Sequence, residues 1–267
     1  MRENLLKTLW QQNAHAINGW LGLPATFSAE VMAHQGWDSL TIDLQHGLID
    51  YQSAVGMLQA ISTTRTVPLV RVPWLDPAII MKVLDAGAYG VICPMVNSAA
   101  EAREFVAACR YPPAGMRSCG PIRANVYAGA DYVANANRTI ITMAMIETRA
   151  GLDNLDEILS VKGLDAIYVG PADLALALGC EPQIDPTAEK VVQTIEHIVA
   201  RARKEKIVAG IHTGSTANAQ KMIRLGFQFV TVSSDLRLLV EKVSEVLAAM
   251  GRGDSAARMA STQRGPY

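Results

Sequence analysis

Residues 76–96, DPAIIMKVLDAGAYGVICPMV, contain one complete structural unit. Apolar residues recur at helical spacing through Ile79, Ile80, Val83 and Leu84, and the pattern stops at Gly87, the residue type that most readily ends a helix. GVICPMV follows, an apolar run too short for a second helix and of the length of a buried strand. The order helix, glycine, strand returns at HQGWDSL (34–40), VKGLDAI (161–167) and RLGFQFV (224–230). Counted by their strands the units are eight: INGWLGLP, SLTIDLQH, VPLVRVP, GVICPMV, TIITMAMIET, LDAIYVGP, IVAGIHT and FQFVTVSS. With no hairpin signals between them, parallel strands joined by helical crossovers are expected, and eight such strands predict an α/β chain folded as a (β/α)8 TIM barrel. A doubly wound open sheet is the competing expectation, but no GxGxxG follows the first strand.

The barrel is expected to span residues 1–251, with a polar, aperiodic and therefore flexible tail over residues 252–267. Lysine and arginine (24) nearly balance aspartate and glutamate (25), so no overall field favours nucleic acid or an anionic membrane, and a small molecule is the expected partner. Cys93, Cys109, Cys119 and Cys180 show no CxxC spacing and are read as packing residues in a reducing compartment. With no leader pattern and no apolar run of membrane-spanning length, a cytoplasmic location is expected. One connection is too long to be ordinary. Residues 111–139, rich in glycine, proline and small side chains and carrying Arg117 and Arg123, read as a lid or a subunit contact.

Catalytic groups of a parallel barrel gather at the carboxyl ends of its strands. The polar residues that break the apolar runs are Asp43, Gln45 and His46, then Arg71, Glu147 with Thr148, Gly170 to Asp173, and His212 with Thr213. Glu147 and Asp173 end neighbouring strands, about 4.8 Å apart, so both carboxylates can reach one ion. Two oxygen ligands with room for water and substrate suit a hard cation, Mg²⁺ or Mn²⁺. The ordinary alternative makes Glu147 a helix cap and Asp173 a first-turn helix acid. In GPADLALALG the amides of Ala172 and Asp173, behind Gly170 and Pro171, open a helix able to hold a carboxylate. Arg71 supplies a permanent charge for an oxygen anion, or else an ion pair inside the barrel. A 2-oxo acid fits all three groups.

These residues, in this order, resemble the HpcH/HpaI family of metal-dependent class II pyruvate aldolases, which includes the 4-hydroxy-2-oxoheptanedioate aldolases. The resemblance runs from about residue 19 to 250 and is carried by IDLQH, VRVPWLDP, VLDAGAYGVICPMVNSAAEA, RYPPAGMRS, MIETRAGLDNLDEIL and VGPADLALALG. It implies a divalent ion (Mg²⁺ or Mn²⁺, with Co²⁺ a further candidate) on Glu147 and Asp173. It also implies Arg71 at the carbonyl oxygen, the Ala172 and Asp173 amides on the carboxylate, and His46 as acid/base. The aspartate that the family pairs with this histidine falls at Asp85, near the end of its helix, so it is expected to reach a histidine through a bend in the chain or from a neighbouring subunit. A homo-oligomer is implied, a trimer or a hexamer built as a trimer of dimers, assembled through LRLLVEKVSEVLAAM, with Arg117 and Arg123 at the distal end of the substrate. The chain departs from the family in having Gln45 for a glutamate, Met145 for a glutamine, Ala175 for a serine, and His212 where pyruvate-specific members carry leucine. A polar ring at residue 212 would admit a hydroxymethyl donor such as hydroxypyruvate, or could serve as a second acid/base, or could be a satisfied strand histidine. His15, His34 and His197 are read as surface or packing residues. The expected function is an aldolase joining a pyruvate or hydroxypyruvate enolate to an aldehyde. The rivals are a CoA-ester lyase of the citrate lyase type and a non-catalytic barrel that binds a metal and a 2-oxo acid.

Overall fold

The computed structural model describes residues 1–252, so the expected tail lies, apart from its first residue, outside the described residues. The chain opens with α1 (Leu5–Gln11), β1 (Ala16–Leu21), α2 (Thr26–Ala33), β2 (Ser39–Asp43), α3 (Tyr51–Ile61) and β3 (Val67–Arg71). It continues through α4 (Pro77–Asp85), β4 (Gly90–Cys93), α5 (Ala99–Cys109), α6 (Ile122–Ala128), α7 (Tyr132–Thr139) and β5 (Ile141–Ile146). Then come α8 (Arg149–Asp153), α9 (Leu155–Leu159), β6 (Ala166–Val169), α10 (Pro171–Ala177), α11 (Glu189–Lys204) and β7 (Val208–Thr213). The last elements are α12 (Thr216–Leu225), β8 (Phe229–Ser234) and α13 (Asp235–Ala249). All eight strands are parallel neighbours in sequence order, and β8 closes on β1, so the closed barrel replaces the open-sheet alternative.

Local chemistry explains the unit that opened the sequence. Asp76 caps α4 by accepting from the Ala78 N–H at 2.8 Å, and Pro77 occupies the first turn, where its missing N–H costs nothing. Gly87 follows at φ +106°, and Gly226 ends α12 in the left-handed region at φ +111°, conformations that a side chain would strain.

Register settles which side chains enter the barrel. Asn18 pairs with Ser39 and Thr231, Asp43 with Arg71, Met145 with Tyr168, and His212 with Thr231. Because successive side chains alternate faces, every second residue of each strand then points inward. The final inward positions are Trp20, Asp43 and Arg71, Glu147 two residues beyond Met145, and His212. The core around them is continuous, from Leu21 and Ile42 to Ile146, Val169 and Phe229, all fully buried.

Two expectations need correction. Residues 111–139 are no lid: the segment carries α6 and α7 and packs against α4. Arg123 donates to the carbonyls of Ala86 and Leu58 and to Ser62, at the C-terminal ends of α4 and α3, the face opposite the catalytic mouth. Cys119 is exposed rather than packed, whereas Cys93 and Cys109 are buried. The last helix, expected to dock on a neighbour, leaves most of its length exposed. Along α13 only Asp235 is buried, while Leu239, Val243, Val246 and Met250 share an exposed stripe.

Candidate active site

Asp43 organises the mouth. Its carboxylate accepts from Arg71 Nε at 2.9 Å and Nη2 at 2.6 Å, from Trp20 Nε1 at 3.2 Å, and from the main-chain N–H groups of Gln45 and His46 at 3.0 and 3.3 Å. Burial alone would raise its pKa, but the hydrogen bonds and charge of Arg71, with Trp20 and Gln45 adding donors, outweigh burial and hold the carboxyl below its ordinary range. Arg71 is thereby fixed as a charged fork, its guanidinium carbon 4.8 Å from the centre of the Trp20 ring. The ion-pair alternative for Arg71 therefore holds, and it coexists with a position on the pocket at the mouth.

Glu147 is the buried acid opposite. Its Oε1 accepts from the Met95 N–H at 2.9 Å, and Met95 adopts φ +55°, an uncommon conformation for a residue with a side chain, in aiming that N–H inward. A Cβ on residue 170 would fall 2.4 Å from Glu147 Oε2, so only glycine there lets the carboxylate lie against the backbone. Burial first, with the neighbouring Asp173 carboxylate, raises the Glu147 pKa to about 7 against the Met95 N–H and the Arg71 charge. Thr148, not Glu147, caps α8 by accepting from the Gly151 N–H, which removes the structural alternative for Glu147. Asp173 does sit in the first turn of α10, as its alternative required.

Among the described residues no group of three or more His, Cys, Asp or Glu side chains could hold a metal by itself. Glu147 and Asp173 nevertheless fit a hard divalent ion. Burial first and the Asp173 charge next disfavour the Glu147 carboxylate even with Arg71 nearby, and a cation between the two acids would relieve both penalties while water and a chelating substrate filled its other positions.

His46 lies in the turn after β2, exposed, with its pKa lowered by burial of part of the ring and then by Arg71, against the pull of Asp43 and Asp173. It is neutral near pH 7 and can accept a proton. Gln45 turns its side-chain oxygen inward, where no donor meets it. Beside these groups lies a small pocket bounded by Arg71, Tyr168, Gly170, Ala172, Asp173 and His212. A larger cleft, lined by Trp10, His15 and Arg203, opens at the other end of the strands and lacks any such convergence of acids, base and arginine.

The remaining candidates stay apart. Asp85 ends α4, a nine-residue helix about 13 Å long that carries the chain away from the mouth. Its carboxylate meets Arg117 Nη2 at 2.6 Å, and no bend returns it to its own chain's His46. Arg117 is buried between the rings of Tyr111 and Tyr132 and donates to the Tyr132 hydroxyl. Neither Arg117 nor Arg123 reaches the mouth of its own barrel. His15, His34 and His197 are exposed, as expected. Trp20 and Met95 were missed because they offer no titratable group, and Tyr168 because it lies inside its apolar run and not at the polar residue that breaks it. Asp43 was collected there but given no role, although its register with Arg71 was the available signal.

A parallel barrel whose mouth holds a fixed arginine, two neighbouring acids and a neutral histidine has the groups that an enzyme stabilising an oxyanion needs. The family model described as HpcH/HpaI aldolase/citrate lyase matches residues 18–241, and the chain belongs to that family. It is an aldolase, a carbon–carbon lyase. It is 44% identical over 245 residues, 92% of this chain and 98% of the other, to a hydroxypyruvate/pyruvate aldolase of Rhizorhabdus wittichii. It is 37% identical to a 4-hydroxy-2-oxo-heptane-1,7-dioate aldolase of Escherichia coli, over 92% of this chain and 94% of that one. Among solved structures, an HpcH/HpaI aldolase/citrate lyase family protein from Burkholderia cenocepacia superposes with a TM-score of 0.87 at 29% identity, covering 93% of this chain and 99% of that one.

Proposed function

We propose that this chain is a divalent-metal-dependent aldolase that makes or breaks the bond between the enolate of pyruvate or hydroxypyruvate and an aldehyde. The observation that carries the proposal is Glu147, an acid buried beside Asp173 whose pKa stays raised despite the Arg71 charge. Mg²⁺, Mn²⁺ or Co²⁺ held by Glu147 and Asp173 would supply Lewis-acid polarisation of the 2-oxo group. The chain's own groups do the rest. The first amides of α10, at Ala172 and Asp173, hold the donor carboxylate, because a helix start has N–H groups without partners in the helix. Arg71, locked by Asp43, faces the oxo oxygen and stabilises the charge that collects there as the bond to the aldehyde carbon breaks. His46, neutral at working pH, takes the proton of the 4-hydroxyl in cleavage and returns it in synthesis.

The test needs no aldehyde. With Mg²⁺ or Mn²⁺ the protein exchanges the methyl protons of pyruvate for deuterium, and EDTA abolishes the exchange. His46→Ala slows aldol cleavage by about 10²-fold or more. Absence of exchange with every ion and with both donors sinks the proposal, and exchange that survives EDTA removes its metal.

The unpartnered stripe of α13 supports a homo-oligomer, the arrangement in which Asp85 would serve a neighbour's His46. Light scattering is expected to show Leu239→Glu/Val243→Glu at lower mass than wild type. A monomeric wild type removes both the oligomer and the role of Asp85 in trans.

A further inference from the structure

Behind the pocket wall runs a chain of buried polar side chains that the proposed reaction does not use. Ser39 Oγ and Thr41 Oγ1 donate to Asn18 Oδ1 at 2.8 and 3.1 Å, and Asn18 Nδ2 donates to Thr231 Oγ1 at 2.9 Å. The Thr231 and Tyr168 hydroxyls lie 2.7 Å apart, and Tyr168 Oη lies 3.1 Å from His212 Nδ1. Asn18, Ser39, Thr41, Thr231 and Tyr168 are at most 1% exposed, so water cannot repair a lost hydrogen bond. The chain ends at the only one of these side chains with an open face, His212, which also lines the pocket with Arg71 and Asp173.

Counting protons fixes the direction of each link. Taken alone, the Thr231–Tyr168 pair permits either hydroxyl to donate. If Tyr168 gives its proton to Thr231, the Thr231 proton is left without an acceptor among the hydrogen bonds of the described residues, because Thr231 Oγ1 already accepts from Asn18. Reversing the Asn18 amide instead strands the protons of both Ser39 and Thr41. One arrangement gives every hydroxyl proton an acceptor: Ser39 and Thr41 to Asn18, Asn18 to Thr231, Thr231 to Tyr168, and Tyr168 to His212 Nδ1. Nδ1 is then an acceptor, and the ring proton of the neutral imidazole must sit on Nε2. Neutrality is secure, since burial first and the Arg71 charge second bring the His212 pKa down to about 3, although the ring edge faces the pocket. Trp20, whose ring centre lies 5.0 Å from that of His212 in an edge contact, limits rotation that would exchange the two nitrogens.

We propose that this relay holds His212 in the Nε2–H form, so that the pocket presents a fixed, uncharged hydrogen-bond donor to the third carbon of the 2-oxo acid and selects donors with a hydroxyl there. The proposal rests on the aldolase reading, which assigns the two other ends of the donor. With the carboxylate on the α10 amides and the oxo oxygen towards Arg71, the wall left for the third carbon is Met145, Ile184, Tyr168 and His212. Tyr168 has already spent its proton on His212. A hydroxymethyl group satisfies the N–H of His212, whereas a methyl group leaves it buried and unpaired, an asymmetry that favours hydroxypyruvate over pyruvate by about tenfold or more.

Two measurements test the relay. The first is the ratio of kcat/KM for hydroxypyruvate to that for pyruvate, with one aldehyde, in wild type, His212→Leu and Tyr168→Phe. His212→Leu is expected to lower the ratio about tenfold or more, and Tyr168→Phe, which keeps the ring but lets both tautomers form, to give an intermediate value. The second is ¹⁵N NMR of histidine-labelled wild-type protein, with the His212 signals assigned by their loss in His212→Leu. The protonated nitrogen should be Nε2, and a merely structural Tyr168 would leave the tautomer unchanged in Tyr168→Phe. An unchanged ratio in His212→Leu, with both donors turned over, overturns the selectivity, and a proton on Nδ1 in wild type overturns the relay. If neither donor is turned over, the aldolase reading has failed and the selectivity falls with it, while the spectrum still decides the tautomer.

Discussion

Glu147→Gln is expected to lower kcat/KM for aldol cleavage by about 10³-fold or more, the scale of removing a group that stabilises a developing oxyanion, and to raise the stability of the metal-free protein at the same time. The two effects have one origin. Glutamine keeps the shape of the side chain and can still accept the Met95 N–H, but it cannot ionise. In wild type the folded-state pKa of about 7 lies above the ordinary 4.5 because burial, then Asp173, disfavours the carboxylate. The folded state therefore binds the proton more tightly than the unfolded state. The acid is harmless to stability at low pH, its cost grows as pH rises from about 4.5, and the cost is complete above about 7, reaching roughly 3 kcal/mol. Urea denaturation in EDTA should find the variant little different from wild type at pH 5 and clearly more stable at pH 8. A cation has to displace the same proton, so wild-type affinity for Mg²⁺ or Mn²⁺, followed calorimetrically, should climb up to tenfold per pH unit below about pH 7 and level off above it. Equal stability of the two proteins at pH 8 would show that Glu147 is not strained by burial, and the argument for a cation beside it would go.

The parts legible in the sequence are those set by local rules. DAGAYGV, VKGLDAI and RLGFQFV mark the joins between helix and strand because glycine is the residue that tolerates the left-handed turn at positions such as Gly87 and Gly226. The apolar runs end where the strands end, so Arg71, Glu147, Asp173 and His212 stand out in the sequence itself. What closure of the barrel adds was not legible. Trp20, on the first strand, meets Asp43 and His212 because β1 lies between β2 and β8, and Tyr168 reaches Thr231 across β7. Residues 111–139 misled for a different reason. Both α6 and α7 are short and rich in alanine and asparagine, so neither carries a long apolar pattern, and an arginine in such a segment reads as surface, yet Arg117 is buried because two tyrosine rings and the Asp85 carboxylate receive it. An apolar stripe such as that of LRLLVEKVSEVLAAM fits a helix laid on its own barrel as well as one awaiting a neighbour, so the docking expected of it came chiefly from the resemblance.

Asp43→Asn should be nearly as damaging to activity as loss of the metal acid, although Asp43 touches no substrate. Its role is to hold Arg71, and amide cannot replace carboxylate there. Asparagine keeps one acceptor oxygen and introduces an NH₂ group that faces the guanidinium, so one of the two charge-assisted bonds becomes a clash of donors. Arg71, 4% exposed, would then be a buried charge without its counter-ion, a loss of about 3–5 kcal/mol in comparable cases. A fork that is no longer fixed also loses the preorganisation that makes it useful, and kcat should fall about 10²-fold or more. The double variant Asp43→Asn/Arg71→Met separates these two losses. With the buried charge gone it should regain much of the stability, since removing both partners is far milder than removing one, yet it should remain inactive. The acid limb gives an independent check. Asp43 has a depressed pKa in the folded state, so its contribution to stability is present above the ordinary carboxylate value near 3.8 and is lost as pH falls below it, a dependence that Asp43→Asn should lack. If Asp43→Asn unfolded at the same urea concentration as wild type and retained its turnover, the Asp43–Arg71 pair would be an incidental contact, and the oxyanion would need a different guardian.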